Sequence, residues 1–235
     1  MAQRLYREWF VHFRFPGHKS VNMVESELGL IPEGWDISVP KSFSEHYIGG
    51  GWGKENITDK LLPAYVIRGT DIPKARSNDV SECPLRYHTK SNLDSRVLRH
   101  GDIVMEVSGG SKGQPVGRTL LVTAELLDSF DNDVMCASFC KLFRCNKKIS
   151  IYYLYMWLQE IYNNGEIEKY QSQSTGIINF KFEYFVENAK VVLPPKKVQD
   201  RFDEMCEDVF RQINILGAKN TNLRKTRDLL LPHLI

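Results

Sequence analysis

The chain has 235 residues, a formal net charge of +2, 26% charged residues and 42% hydrophobic residues. A chain of this length forms one or two domains with a sizeable buried core. Its longest apolar runs are too short to cross a bilayer, and its first residues lack the apolar segment and cleavage site of a signal peptide. The small net charge permits nucleic-acid binding but does not by itself indicate it.

The five cysteines form no C-x-x-C pair and are odd in number, which argues against a disulfide framework. We therefore predict reduced thiols in a cytoplasmic protein. The cysteines of residues 136–145 have no nearby histidine, and zinc ligands require other spacings, so we predict neither a metal nor a cofactor. The cysteines are Cys83, Cys136, Cys140, Cys145 and Cys206.

The first predicted element is a helix over residues 2–15, with Leu5, Trp9 and Phe13 on one face and Pro16 after its end. The chain then changes character, because short β-type runs alternate with Gly, Pro and Asn. After a polar loop at residues 18–30, strands are predicted at residues 37–43, 64–69, 102–108, 118–125 and 138–144.

Residues 150–171 predict a helix or a helix pair that breaks near Asn164 and Gly165. A last strand follows at residues 189–193. Pro194 and Pro195 then stop that strand and open a long helix, since proline is tolerated in a first helical turn. The pattern predicts an α+β fold: a strand-rich body followed by one long projecting helix.

The long helix, residues 196–235, carries a narrow apolar strip that recurs at alternating steps of four and three residues. Such a strip is typical of a coiled coil, in which Asn220 at a core position would set the register. Gly217 interrupts the strip. The alternative is an ordinary amphipathic helix that lies on its own domain. The predicted pairing residues are Phe202, Val209, Ile213, Leu216, Asn220, Leu223 and Leu230.

The charges of this helix run from acidic to basic, with Asp200 and Glu204 in its first half and Lys219 and Arg224 in its second. This order complements the helix dipole. It also favours an antiparallel partner, because acidic and basic halves would then face each other. We therefore predict self-association of the chain as an antiparallel two-fold dimer.

Two glycine-rich loops and one basic cluster are the candidate binding segments. Residues 108–119 (SGGSKGQPVGRT) lack the spacing of a nucleotide-binding P-loop, but they place Lys112, Gln114 and Arg118 where they could reach a nucleic-acid groove. A solvated hairpin turn is the alternative for this loop. The other candidates are Trp52 and Lys54 in residues 48–54, where Trp52 could also fold back on the domain, and Arg86, Tyr87 and Lys90.

No catalytic motif is present in the sequence. It contains no G-x-S-x-G, no H-E-x-x-H and no carboxylate pair with acid–base spacing, and its six histidines are scattered. A methyltransferase would need a strand, a glycine-rich turn and a helix to bind its cofactor, and no such unit appears. We therefore predict a protein that is not an enzyme.

Several segments, in their order, resemble one half of the DNA-specificity subunit of type I restriction–modification enzymes. Residues 5–11 (LYREWFV) are similar to the end of that family's central helical region. The other matching segments are residues 28–35 (LGLIPEGW), 67–72 (IRGTDI), 99–104 (RHGDIV), 174–179 (STGIIN), 192–195 (VLPP) and 223–232 (LRKTRDLLLP).

Two features depart from the family. Residues 196–199 (KKVQ) replace the acidic Glu-Gln that usually follows the double proline, and the family carries two recognition domains and two long helices per chain where one of each is seen. The resemblance implies a target-recognition domain at residues 18–195, a tail of the central region at residues 1–17 and a spacer helix at residues 196–235.

The resemblance further implies a non-catalytic subunit that reads half of a bipartite site in double-stranded DNA. Its expected partners are methyltransferase subunits and, through them, the restriction subunit. A non-catalytic interaction or assembly protein that no longer reads DNA is the alternative. The matched segments add these DNA-binding candidates: Arg68, Thr70, Gln173, Ser174, Thr175 and Asn179.

Overall fold

The computed structural model describes residues 1–110, 114–174 and 176–231, in which short strands and helices alternate before one long C-terminal helix. The strands are β1 (Met23–Ser26), β2 (Gly29–Pro32), β3 (Asp36–Ser38), β4 (Ser44–Gly49), β5 (Leu61–Ile67), β6 (Leu85–Thr89), β7 (Ile103–Glu106), β8 (Ser108–Gly110), β9 (Thr119–Leu121), β10 (Asp133–Cys136), β11 (Cys140–Cys145), β12 (Gln171–Ser174), β13 (Ile177–Phe180) and β14 (Val191–Leu193). The α-helices are α1 (Ala2–Tyr6), α2 (Ile72–Ala75), α3 (Lys90–Arg96), α4 (Ala124–Leu127), α5 (Ile151–Asn163), α6 (Phe182–Asn188) and α7 (Lys196–Leu230).

The central sheet is antiparallel, with the strand order β4-β11-β7-β9. Every residue of β7 is buried, which its continuous apolar run of Ile103, Val104 and Met105 permits. Core residues therefore cover both faces of this sheet. One side packs toward α5, and the other packs against a second sheet of order β10-β5-β6, in which β10 and β5 are parallel.

A third sheet, of order β12-β13-β8, holds the glycine-rich segment 108–110 against the hairpin formed by β12 and β13. The turn at residues 137–139 joins β10 of the second sheet to β11 of the central sheet. These connections bring the ends of β5, β7, β8 and β10 close to one another. The candidate site lies at this junction.

Helix α5 is the centre of the main core. Its N-cap is Ser150, whose hydroxyl accepts a hydrogen bond from the backbone N–H of Tyr153. Most of its residues are apolar and nine of its thirteen residues are buried, as is typical of a helix inside a core. It ends at Asn163, and Gly165 has a φ of 81°. The predicted break near these residues is therefore confirmed.

The N-terminal helix differs from the prediction in its buried face and its length. An α-turn over Ala2–Tyr6 passes into a π-helical turn over Arg7–Val11, and the helix ends well before Pro16. The wider π-turn rotates the following side chains. Tyr6, Trp9 and Phe10 are buried, whereas the predicted Leu5 and Phe13 are only partly buried.

The loop predicted at residues 18–30 and the strand predicted at residues 37–43 were both wrong in part, and several strands were missed. Residues 18–30 contain β1 and the start of the hairpin with β2, although their exposed apolar residues show no alternation that would mark a strand. Residues 37–43 leave the strand after Ser38, because Pro40 begins a 3₁₀ turn. The missed strands also include β6, β10, β12 and β13.

Helix α7 has 35 residues and a length of about 50 Å. Its first turns lie in the main core, where Phe202 and Cys206 are fully buried. The Phe202 ring contacts those of Trp9 and Phe10, with centroids 5.9 and 4.9 Å apart. Phe202 thus pairs with the N-terminal helix and is not free to pair with a second long helix. The three predicted segments share one core.

Farther along, α7 contacts its own domain through a row shifted by one residue from the predicted strip. Phe210 packs on Tyr152, and Asn214 donates hydrogen bonds to the Thr123 hydroxyl and the Glu125 carboxylate. The buried asparagine of this helix is therefore Asn214, while the predicted Asn220 is exposed. The alternative interpretation, a helix on its own domain, describes this part of α7.

Gly217 belongs to the same domain-facing row. A Cβ atom at this position would lie 2.1 Å from the backbone oxygen of Ser77, far inside contact distance. Two helical turns later, Arg224 forms an ion pair with Asp79. Gly217 therefore permits the helix to lie close against the domain and is not an interruption of a pairing strip.

The predicted strip remains open beyond residue 215. Leu216, Leu223 and Leu230 are 55%, 67% and 53% exposed, while Val209 and Ile213 are partly buried. The fold prediction, a strand-rich domain followed by a long helix, is confirmed. None of the helices in the described part of the chain has both the length and the apolar composition of a bilayer span.

Candidate nucleic-acid interface

An open cleft of about 600 Å³ gathers five of the predicted binding residues from three separate segments, residues 48–54, 67–72 and 108–119. It lies where the second sheet, the central sheet and β8 meet. The sequence alone does not connect these predicted residues, because they are up to 66 residues apart in the chain. The cleft is lined by Trp52, Arg68, Gly69, Thr70, Glu106, Ser108, Gly109, Gln114, Arg118, Ala137, Ser138 and Phe139.

The loop that carries Trp52 is held firmly against β10 and β11. The backbone N–H groups of Gly50 and Gly51 donate to the carbonyls of Cys140 and Cys136, each at 2.9 Å. A Cβ on Gly50 would lie 2.2 Å from the Cys136 oxygen, so this position requires glycine. These glycines therefore serve close backbone packing, which fixes Trp52 at the cleft.

Trp52 is neither fully exposed nor folded into the core. It is 39% exposed, and the Arg86 guanidinium lies 4.5 Å from its ring centroid in a cation–π contact. Arg86 also forms an ion pair with Glu55 at 3.1 Å. Lys54 is exposed on the same loop and pairs through its backbone with Tyr87, which is half-buried. These four predicted residues form one cluster beside the cleft.

His88 lies inside the predicted basic cluster but cannot contact DNA. Its ring is buried beneath Gly53, and burial lowers its pKa, as does the nearby charge of Arg96. Lys90 is exposed and forms an ion pair with Asp94 at 3.1 Å.

Arg118 was expected on a flexible loop that could reach a nucleic-acid groove, but the structure pairs its side chain inside the domain. Its Nε and Nη2 atoms donate to the Glu106 carboxylate at 2.8 and 2.6 Å, and the two side chains are only 14% and 5% exposed. The hydrogen bonds to Glu106 raise the pKa of Arg118, against the opposing effect of burial. The pair forms a neutral floor of the cleft.

Arg68 is also paired internally. Its Nε and Nη2 atoms donate to both oxygens of Asp71 at 2.9 and 2.7 Å, and these bonds raise the pKa of Arg68. Asp71 also accepts from the backbone N–H of Arg68. Thr70, in the same turn, is exposed at the cleft.

The hairpin β12–β13 flanks the cleft through β8. Asn179 pairs with Ser108 in the sheet, and the Ser108 hydroxyl is 2.7 Å from the Asn179 side-chain oxygen. Gln173 is exposed on β12, and Ser174 follows it as the last residue of that strand. Lys112 and Thr175 lie outside the described residues.

The predicted residues thus form two groups, those whose polar side chains have partners inside the domain and those whose polar side chains are exposed. Arg68, Arg86, Lys90, Arg118 and Asn179 have partners inside the domain. Exposed groups include Lys54, Thr70, Gln114 and Gln173.

Phe139 is the main site residue that sequence reasoning missed. It is 66% exposed in the cleft, although it stands in a segment predicted to be a strand. An alternating pattern cannot tell which of two apolar neighbours faces solvent without the sheet's position.

Within the described residues, no three His, Cys, Asp or Glu side chains cluster as metal ligands would.

No protein-family model matches the sequence, and no curated protein matches it significantly. Solved structures, however, share its fold. A chain reported with the assembly and conformational transition of the type I R-M system aligns with a TM-score of 0.52 and 17% identity over 97% of this chain. The HsdS subunit from Thermoanaerobacter tengcongensis aligns with a TM-score of 0.50 and 16% identity over 93% of it.

The S subunit of the type I restriction–modification system from M. genitalium aligns with a TM-score of 0.50 and 14% identity over 83% of this chain. The alignments cover 48%, 44% and 44% of the solved chains, so this chain spans about half their length. Identities this low establish similarity of fold. The chain therefore has the fold of specificity subunits of type I restriction–modification systems, in the layout of one recognition domain followed by a long helix.

Proposed function

We propose that this chain is a non-catalytic DNA-specificity component of a type I restriction–modification enzyme. In this role it reads one half of a bipartite site in duplex DNA. The observation that carries the proposal is the cleft, where exposed polar side chains of Thr70 and Gln114 meet an exposed aromatic ring within a fold shared with specificity subunits. Side chains with unused donors and acceptors are the ones able to read base edges.

Two kinds of contact follow from the division of the site residues. Gln114 and Gln173 carry amides that can pair with a base edge, as glutamine does with adenine. Lys54 is an exposed cation next to Trp52 and suits a phosphate. The internally paired arginines would instead hold the loops in position.

Selection of bound sequences from random duplex DNA, followed by gel shift, tests DNA reading. Gln114→Ala should relax the preference at one or two positions and weaken binding to the selected site about tenfold, as loss of a bidentate base contact does. Lys54→Ala should weaken binding to all sequences alike and reduce the slope of affinity against salt by about one.

Lys219→Ala, an exposed lysine on α7 that does not line the cleft, is the matched control and should change neither quantity. Failure to select any sequence would contradict DNA reading. The alternative of a non-catalytic interaction or assembly protein would then be favoured. Docking of methyltransferase subunits, and of a restriction subunit through them, is part of the same proposal and is supported by the shared fold.

The exposed strip of α7 supports self-association of the chain. Leu216, Leu223 and Leu230 are spaced seven residues apart and lie open beside the row that contacts the domain. The charge gradient does not favour pairing of this part, because residues 216–231 hold four Lys/Arg against one Asp. Two such segments in contact would repel one another, and salt would screen that repulsion. A two-fold dimer built on this strip would read a palindromic site.

The double change Leu216→Glu with Leu223→Glu should convert an associating chain into a folded monomer with weaker DNA binding. Sedimentation at high micromolar concentration measures the association, which should strengthen as salt is raised. Gln212→Glu with Asn222→Glu adds the same charges at exposed polar positions and should leave the dimer intact. An unmodified chain that is monomeric at every salt concentration would overturn self-association and leave the strip for another partner.

A further inference from the structure

Two exposed aromatic rings, Trp52 and Phe139, line one small cleft in which the buried charges cancel. We propose that this cleft holds a single unstacked nucleobase of the bound DNA. The proposal rests on the proposed function and names the part of the nucleic acid that enters the cleft.

The size of the cleft suits one base. Its volume of about 600 Å³ falls within the range of about 300–1,000 Å³ that is typical of small-molecule sites. A duplex cannot enter such a space, since its major groove alone is about 12 Å wide. Gly69 and Gly109 lack side chains that would narrow the cleft, and Gly109 has a φ of 116°, which favours glycine.

The charges of the cleft suit an uncharged ligand. Arg118 is neutralised by Glu106, and Arg68 is neutralised by Asp71. A phosphate would require cations without such partners. Among the described residues that line the cleft, the remaining polar groups are neutral and include those of Thr70, Gln114 and Ser138. Neutral donors and acceptors match the edge of a base and not the backbone of DNA.

The aromatic residues provide a stacking surface. Arg86 covers part of the Trp52 ring but does not line the cleft, so it does not stand between the indole and the cleft. Phe139 is 66% exposed on the turn between β10 and β11. Stacking of a base on an aromatic side chain tolerates any base and contributes about 1–3 kcal/mol.

A mismatch scan of the selected duplex tests the proposal. A base that leaves the helix must break its pair, so a mismatch at that position makes binding easier. We expect one position at which a mismatch strengthens binding about tenfold, while mismatches elsewhere in the site weaken it. Trp52→Ala should weaken binding to the paired duplex about tenfold and should remove the gain in affinity that the mismatch causes. Trp52→Phe should retain that gain in affinity.

Two further variants separate stacking in the cleft from other causes. Ser138→Phe should fill the cleft without altering Trp52 and should also remove the gain, and Tyr184→Ala removes an exposed aromatic ring outside the cleft and should preserve it. A gain that survives both Trp52→Ala and Ser138→Phe would overturn the proposal. So would a gain lost only in Phe139→Ala, because Phe139 would then act as a wedge between base pairs.

The outcomes distinguish this inference from the function on which it rests. Selected duplexes that bind, but that every mismatch weakens or leaves unchanged, would overturn the base site while DNA reading stands. Absence of any duplex binding would overturn both.

Discussion

Arg118→Ala is expected to lower the free energy of unfolding by about 3–5 kcal/mol, the usual effect of removing one partner of a buried ion pair. Glu106 is 5% exposed and would lose both hydrogen bonds from the guanidinium. Its carboxylate would then be buried without its ion-pair partner. Urea denaturation followed by circular dichroism measures the change.

Lys90→Ala is the matched control, since its pair with Asp94 is exposed and its loss should change stability by less than about 1 kcal/mol. The double change Glu106→Leu with Arg118→Met should recover much of the loss, because apolar residues of similar volume tolerate burial. If Arg118→Ala unfolds like the unmodified chain, the guanidinium is not needed by Glu106 and returns as a candidate phosphate contact.

Gly217→Ala is expected to destabilise the protein by about 1–3 kcal/mol, the range for an added group that does not fit a packed interior. This expected loss of stability is opposite in sign to the effect of helix propensity, which favours alanine over glycine by about 1 kcal/mol. The reason is the backbone oxygen of Ser77, only 2.1 Å from the position of the new Cβ. Thermal unfolding measures the effect, and hydrogen exchange should show faster opening of α7 beyond residue 217.

Asn220→Ala tests the same helix three residues farther on, where the side chain is exposed. It should stabilise the helix slightly through propensity alone. A Gly217→Ala protein that gains stability like Asn220→Ala would show that α7 does not lie against Ser77.

The elements that follow from local sequence were predictable. The apolar run of residues 151–158 favours a buried helix, and Asn164 followed by Gly165 favours a break after it, whatever the rest of the chain does. Pro194 and Pro195 stop one strand and start α7 for the same kind of local reason. The hairpin β1–β2 was not predictable, because its apolar residues follow neither the two-residue period of a strand nor the 3.6-residue period of a helix.

The sequence identified candidate binding side chains by their chemical type, but it did not show which of them are paired inside the domain. Arg118 and Lys54 are both cations in glycine-rich loops, but only Arg118 meets a carboxylate, which comes from β7 twelve residues away. Burial of that carboxylate makes the pair structural. The sequence alone could not show this. The type of a residue gives its charge, but the partner that neutralises the charge is brought near only by the fold.

The long helix shows the same division most clearly. Its repeat at steps of four and three was determined by the sequence, and with it the existence of a long helix that packs along one side. Which side packs was decided by the domain. Gly217 and Asn214 meet Ser77 and Thr123, more than ninety residues earlier in the chain, and turn the neighbouring leucines outward. Periodicity fixes the spacing of side chains on a helix, whereas their burial depends on surfaces that only the folded chain brings near.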